Sequence, residues 1–124
     1  MEQAKLDEYV RAFHMMWDNY PEPVRLIDRT FTIVAGNKLY MHNSGGRFLG
    51  TKCNQAGDPS LHRGCKAMES LRTGEARIVT TDMEGVRWDS YWVPVEGTDE
   101  LYVHFTDGIS AYREMKLRQQ QEQQ

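Results

Sequence analysis

A chain of 124 residues with a net charge of -3 and 40% hydrophobic residues is long enough for one domain and too short for two ordinary ones. Its 15 Lys and Arg residues are scattered rather than gathered into a stripe, which argues against nucleic acid as a direct partner. No apolar run approaches the roughly 18 residues of a membrane span and Met1 to Lys5 lack the apolar core of a secretory signal, so a cytoplasmic chain without direct membrane contact is expected, its two cysteines free thiols.

Leu6, Tyr9, Val10, Phe13, Met16 and Trp17 recur at steps of three and four, with Glu8, Arg11 and Asp18 on the other side. That spacing predicts an amphipathic helix from Lys5 to Trp17, stopped by Pro21 and Pro23, which lack amide donors. His14 lies beside the apolar face and reads as a packed histidine rather than a ligand. Val24 to Asp28 and Phe31 to Ala35 are short β-branched and apolar runs, expected as two strands of a hairpin. Asn37 is placed to cap a short helix from Lys38 to His42, which Gly45 and Gly46 end. The register of the first strand is open. With Arg25 and Ile27 inward, a buried cation demands an anion and points to a carboxylate ligand; with Val24 and Leu26 inward it does not.

Gly50 to Glu75 holds both cysteines, Cys53 and Cys65, and His62. Asp58-Pro59-Ser60 is a helix-start signal, and Leu61, Cys65, Met68 and Leu71 follow at steps of four, three and three, which places Cys65 on an apolar helical face. Thr73-Gly74 closes that helix. Three further strands are predicted over Ala76 to Thr81, Val86 to Val95 and Leu101 to Thr106, joined by turn-like links. Alternation puts Trp88, Ser90 and Trp92 on one face of the second, toward the core, and Leu101, Val103 and Phe105 inward on the third, leaving His104 outward. From Ile109 to Gln124 the chain is rich in helix formers but has few apolar anchors, and from Arg118 onward it is purely polar. Such a helix frays or continues into a partner-packed one.

In this order the sequence resembles the PAS family of sensory domains over nearly its whole length. The residues that carry the likeness are Tyr20 to Asp28 as the first strand, Asn37, Phe48-Leu49-Gly50, Thr73-Gly74-Glu75, Pro94 and Phe105-Thr106-Asp107-Gly108-Ile109-Ser110. The last of these looks like the Asp-Ile-Thr hand-over to a signalling helix, with a glycine inserted. The resemblance implies an α/β chain of the α+β kind: a five-stranded antiparallel sheet with helices on one face, a sensor domain over residues 20–108, an N-terminal flanking helix over 1–19 and a C-terminal signalling helix over 109–124. The stretch after Gly50 is similar to a cysteine-bearing subclass, but Met68 stands where its last cysteine would be. Two thiolates fall short of the four that an iron–sulfur cluster takes.

The resemblance also implies a cavity between the sheet and the helices around Met41, Cys53 and Met68, lined by Trp88, Ser90, Trp92, Val103 and Phe105, and by Arg25 and Ile27 in the register that turns them inward. Two tryptophans and a phenylalanine on one face favour a small or absent cavity. No cofactor is the preferred expectation, ahead of a small organic ligand, with haem or a metal held by Cys53, His62 and Cys65 the least favoured. The residues Thr51 to Gln55 do not match the reactive-cysteine motif of flavin photosensors. No spacing of nucleophile, base and orienting group forms a catalytic motif, and no Gly-rich phosphate loop is present, so no enzymatic activity is expected in the chain itself.

The resulting expectation is an input and dimerisation module of a bacterial-type signalling protein. It passes a ligand or redox state through Asp107, Ile109 and Tyr112 to a covalently linked kinase, cyclic-dinucleotide enzyme or transcription activator. A ligand-free interaction scaffold and a thiol, metal or haem sensor are the alternatives. A homodimer is expected through the stripe of Tyr9, Phe13 and Trp17 and through the exit helix.

Overall fold

In a computed structural model the structure describes residues 1–53 and 65–123. Their element order is α1 (Gln3–Trp17), β1 (Val24–Asp28), β2 (Ile33–Gly36), α2 (Lys38–Ser44), α3 (Ala67–Thr73), β3 (Arg77–Met83), β4 (Val86–Pro94), β5 (Leu101–Asp107) and α4 (Ile109–Glu122). The strands form one antiparallel sheet in the order β2-β1-β5-β4-β3. The predicted first strand matches β1, whereas β2 begins two residues later than expected because Phe31 belongs to the turn, at φ +66°. Asp28 Oδ1 holds that turn by accepting the amides of Thr30 and Thr32.

The chain buries side chains on both faces of the sheet. On the outer face, α1 covers Val24, Leu26, Ala35, Leu101, Val103 and Phe105. On the inner face, Ile27, Ile33, Trp92 and Tyr102 pack with Cys53 and with Ala67 and Leu71 of α3. β5 lies at the centre of the sheet and is buried on both sides, which is why its residues do not sort into one apolar and one polar set.

The stripe expected as a dimer face is occupied within the chain. Phe13 is 4% exposed in the outer core, and Tyr9 and Trp17 pack against the same cluster. The physical reason is that α1 folds back over its own sheet, so its apolar side covers β1 and β2 and it is Met15 and Met16 that remain exposed.

Asn37, fully buried, ties α1, β1 and α2 together. Its Oδ1 accepts the amides of Val24 and Tyr40, and its Nδ2 donates to the carbonyls of Trp17 and Glu22. The Tyr40 bond is the helix cap expected from sequence; the remaining bonds fix the path of the Pro21–Pro23 linker.

The predicted helix start at Asp58 to Ser60 lies outside the described residues. Cys65 precedes α3 and is exposed, which corrects its placement on an apolar helical face. The backbone at Lys66 is not helical, so the helical phase begins at Ala67 and turns Ala67, Ser70 and Leu71 inward. That phase leaves Met68 outward at 53% exposure. It is therefore no wall of an interior cavity, but lies in a surface groove with Arg29, Leu71, Arg72 and Asp99.

Candidate functional site

Across an antiparallel pair, residues directly opposite one another share a face. Trp92 is opposite His104, Ser90 is opposite Thr106, Tyr91 is opposite Phe105 and Val93 is opposite Val103. The set expected to line one cavity is thereby divided. Trp88, Ser90 and Trp92 belong to the inner face, while Val103 and Phe105 lie on the outer face under α1 and Tyr91. His104, expected to point outward, is on the inner face, where its ring stacks on Trp92 at 4.7 Å with planes 16° apart. The error has one cause: alternation within a strand gives two faces but does not say which face of the neighbouring strand continues them.

The same register answers the question of β1. Arg25 is opposite His104 and Ile27 is opposite Tyr102, so both are on the inner face, and Val24 and Leu26 are on the outer one. Arg25 is half-buried there. Its neighbour on β2 is Gly36, and a methyl group at that position would lie 2.2 Å from a ring carbon of Tyr40. The missing side chain lets Tyr40, on the first turn of α2, lie down on the sheet beside Arg25. Met41 is half-buried and packs its methyl toward Gly46.

Cys53 and Tyr102 meet on the inner face. The Cys53 thiol lies 3.8 Å from the Tyr102 hydroxyl, both buried. Burial pushes the Cys53 thiol up, against the pull of the Tyr102 contact and of the Arg25 charge. Burial also pushes the Tyr102 phenol far up, with Cys53 adding to it. His104 Nδ1 donates to the Tyr91 carbonyl at 2.8 Å, because a carbonyl can only accept. Ser70 Oγ donates to the Glu75 carbonyl and lies 3.2 Å from that of Trp92, which pins α3 to β4.

Toward the exit helix, Ser90 and Thr106 join their hydroxyls at 2.9 Å, and Trp88 meets Tyr112 of α4 edge-on at 5.4 Å. Tyr112 donates its hydroxyl to Glu84 at 2.7 Å, and Lys116 Nζ lies 2.8 Å and 2.7 Å from the two oxygens of the same carboxylate. The start of α4 is held from the other side of the domain. Glu22 Oε2 accepts the amide of Gly108 at 2.6 Å and Glu22 Oε1 that of Ser110 at 3.0 Å, while Tyr20 donates its hydroxyl to Asp107 at 2.8 Å. Gly108 is required at this junction: its φ is +108°, and an added methyl would meet the Arg87 carbonyl at 2.2 Å. Of the expected signal-transfer residues, Asp107 and Tyr112 make these contacts and Ile109 is the half-buried first residue of α4.

Sequence reasoning passed over Glu22, Tyr20, Tyr40, Tyr102 and Glu84. Glu22 had a visible signal, an acid fixed between two prolines immediately before a strand; the others had none beyond their residue type. His62 lies outside the described residues. Cys53 is buried and Cys65 exposed, and among the described residues no group of three or more His, Cys, Asp or Glu side chains is placed to hold a metal ion.

No protein-family model matches the chain, and no curated protein matches it in sequence. Solved structures do. The PAS domain of BvgS from Bordetella pertussis superposes with a TM-score of 0.60 at 21% identity, over 94% of this chain and 99% of that one. A sensory box sensor histidine kinase structure from Vibrio cholerae gives 0.57 at 11% identity, over 86% and 96%. The photoactive yellow protein domain of the sensor histidine kinase Ppr from Rhodospirillum centenum gives 0.53 at 18% identity, over 79% and 95%. The chain has the PAS fold: a five-stranded antiparallel sheet carrying α2 and α3 on its inner face, with α1 over its outer face and α4 leaving beside β4.

Proposed function

We propose that this PAS-fold chain is the sensory input module of a signal-transduction protein, in which a change at the inner face of the sheet alters how α4 is held. One observation carries the reading: α4 is fastened at two places, to Glu22 at its start and to Glu84 and Trp88 along its length, and Trp88 lies on β4, one of the strands that carry the inner face. A shift of β4 or β5 by a fraction of an ångström moves Trp88 and Asp107 together, and with them both fastenings.

The effector in this reading is covalently linked, and a histidine kinase is the class favoured by the origin of the structural neighbours. A cyclic-dinucleotide enzyme or a transcription activator has no comparable support. Dimerisation runs through α4, where Leu117 is exposed, rather than through α1, whose apolar side is already covered. No catalytic step is assigned to the chain, and a cytoplasmic location goes with the reading; among the described residues no helix is long and apolar enough to cross a membrane.

Hydrogen exchange resolved by residue tests the coupling. Ser90→Ala, which breaks the bond to Thr106 on the inner face, is expected to speed exchange of the α4 amides. Val93→Ala, on the outer face of the same strand, should leave them unchanged at comparable loss of stability. Equal effects of the two would end the proposal.

A further inference from the structure

The two edges of the sheet are finished differently. At the β2 edge the chain returns to cover its own strand: the Ile33 amide donates to the Thr51 carbonyl at 2.9 Å, and the amides of Gly50 and Cys53 donate to the carbonyls of Ile33 and Phe31 at 2.8 Å and 2.7 Å. The β3 edge has no such cover. β3 runs from Arg77 to Met83 in unbroken register with β4, and among the described residues none of its backbone groups pairs with backbone outside β4.

The hairpin between β3 and β4 turns through Glu84 and Gly85, at φ +54° and +91°, so Met83 and Val86 flank a two-residue loop. Residues flanking such a loop exchange both backbone bonds, and the pattern repeats at every second residue, through Thr81, Val79 and Arg77. Ile78, Thr80 and Asp82 therefore aim their amides and carbonyls away from β4. Open strand edges are ordinarily blunted by proline, lysine or a bulge, and β3 has none of these. Its two charges are engaged within the chain: Arg77 lies 3.3 Å from Glu69 and 3.4 Å from Glu75, and the Asp82 carboxylate accepts the Gly85 amide at 2.9 Å. Between them Ile78, Val79, Thr80 and Thr81 are uncharged and β-branched, the composition that favours strand pairing, and Ile78 is 58% exposed. The Thr80 hydroxyl donates to Asp89 of β4, so that side chain leans away from the edge and leaves its backbone accessible.

We infer that β3 is a docking edge for β3 of a second copy of this chain, antiparallel about a two-fold axis that passes beside Thr80. A second copy fits better than a foreign strand because the edge complements itself. A two-fold axis perpendicular to the sheet keeps like faces together, so residues of the same face must pair across it. With Thr80 of one copy facing Thr80 of the other, Ile78 faces Asp82 and Asp82 faces Ile78, and all three outward-directed residues gain backbone partners. Growth then stops. The β2 edge of each copy is already covered, so two five-stranded sheets join into one and no third copy can add to it. This contact is separate from the one through α4 and does not depend on the sensory reading.

Disulfide trapping of the whole chain tests it. Thr80→Cys and Ile78→Cys are each made in a Cys65→Ser background, where Cys53 is buried and the introduced thiol is the exposed one. Both are treated with oxidised glutathione and followed by non-reducing electrophoresis. In the inferred register the two copies of position 80 lie directly opposite, within disulfide reach, whereas those of position 78 are offset by four residues, about 14 Å along the strands. Thr80→Cys is expected to form the cross-linked dimer about tenfold faster than Ile78→Cys, or more. Sedimentation of the parent chain should show a mass that rises toward double with concentration. Thr80→Pro, which removes the amide at the axis without touching the ladder to β4, should lower the dimer fraction. Circular dichroism confirms that each variant is folded, and the trapping comparison decides the matter if Thr80→Pro is not. Equal rates at the two positions, faster trapping at position 78, or a monomer at the highest soluble concentration would each overturn the inference. A foreign strand as the true occupant of this edge would show itself as that monomer.

Discussion

The carboxylate of Glu22 closes a hydrogen bond of 2.6 Å on the amide of Gly108, 86 residues further along the chain. With its other oxygen on Ser110, the side chain does for α4 what an N-cap residue ordinarily does from within the helix, while α4's own N-cap, Gly108, has no side chain to offer. Glu22→Ala is expected to destabilise the domain by about 1 to 2 kcal/mol, through two amides left uncapped and a lost favourable charge at the positive end of the helix. Urea unfolding measures the cost, and faster amide exchange confined to the first turn of α4 identifies its source. Glu22→Gln, which keeps one acceptor, should fall between.

Asn37 is expected to be the most sensitive polar position. Asn37→Ala leaves the Val24 and Tyr40 amides and two carbonyls without partners in a fully buried place, a loss of roughly 3 kcal/mol or more. Asn37→Asp preserves both acceptor bonds but sets a buried charge against the carbonyls of Trp17 and Glu22, so it too should unfold at lower urea than the parent. An Asp variant as stable as the parent would show that the donor side contributes nothing.

The two thiols should react as two distinct classes. Cys65 is exposed, whereas Cys53 is buried with its thiol pushed up, both of which suppress the thiolate that attacks. Titration with a disulfide reagent at neutral pH is expected to show one fast equivalent and a second about 100-fold slower or more, limited by opening of the core. Cys65→Ser should abolish the fast phase alone.

Alkali should weaken the Tyr20–Asp107 contact at the start of the exit helix. The Tyr20 phenol is pushed up from 10.0 to about 12, first by burial and then by its bond to Asp107. A raised pKa in the folded chain means that the stabilisation is complete below pH 10 and is lost as the pH climbs toward 12. Cys53, Tyr102 and Tyr112 are shifted in the same direction and add to the fall. Tyr20→Phe has no proton to lose, so its thermal midpoint should decline less steeply over about pH 9.5 to 11.5 than that of the parent. Identical slopes would mean that the Tyr20–Asp107 bond is not kept in solution.

Much of the architecture was legible because it rests on local rules. Val24 to Asp28 alternates and is β1; Asn37 and Gly45 cap α2 as their side chain and backbone freedom require; the Asp107-Gly108 junction marks the start of α4. What was not legible is non-local. Nothing within Leu101 to Thr106 says that His104 stacks on Trp92, because the face a residue shares with the next strand depends on pairing register, and that is set between strands. Cys65 was misplaced for a related reason: helical phase was carried through from Leu61, whereas the helix begins at Ala67. Tyr9, Phe13 and Trp17 were correctly seen as an apolar stripe, but a stripe does not name its partner, and here it is the chain's own sheet.

The junction built from Tyr20, Glu22, Asp107 and Ser110 ties the linker after α1 to the start of α4. The other end of α1 lies beyond the opposite end of β5, where the Met1 amino group meets the Glu100 carboxylate at 3.3 Å. The beginnings of the two flanking helices thus sit at opposite ends of the central strand, so a displacement of β5 along its own axis is felt at both.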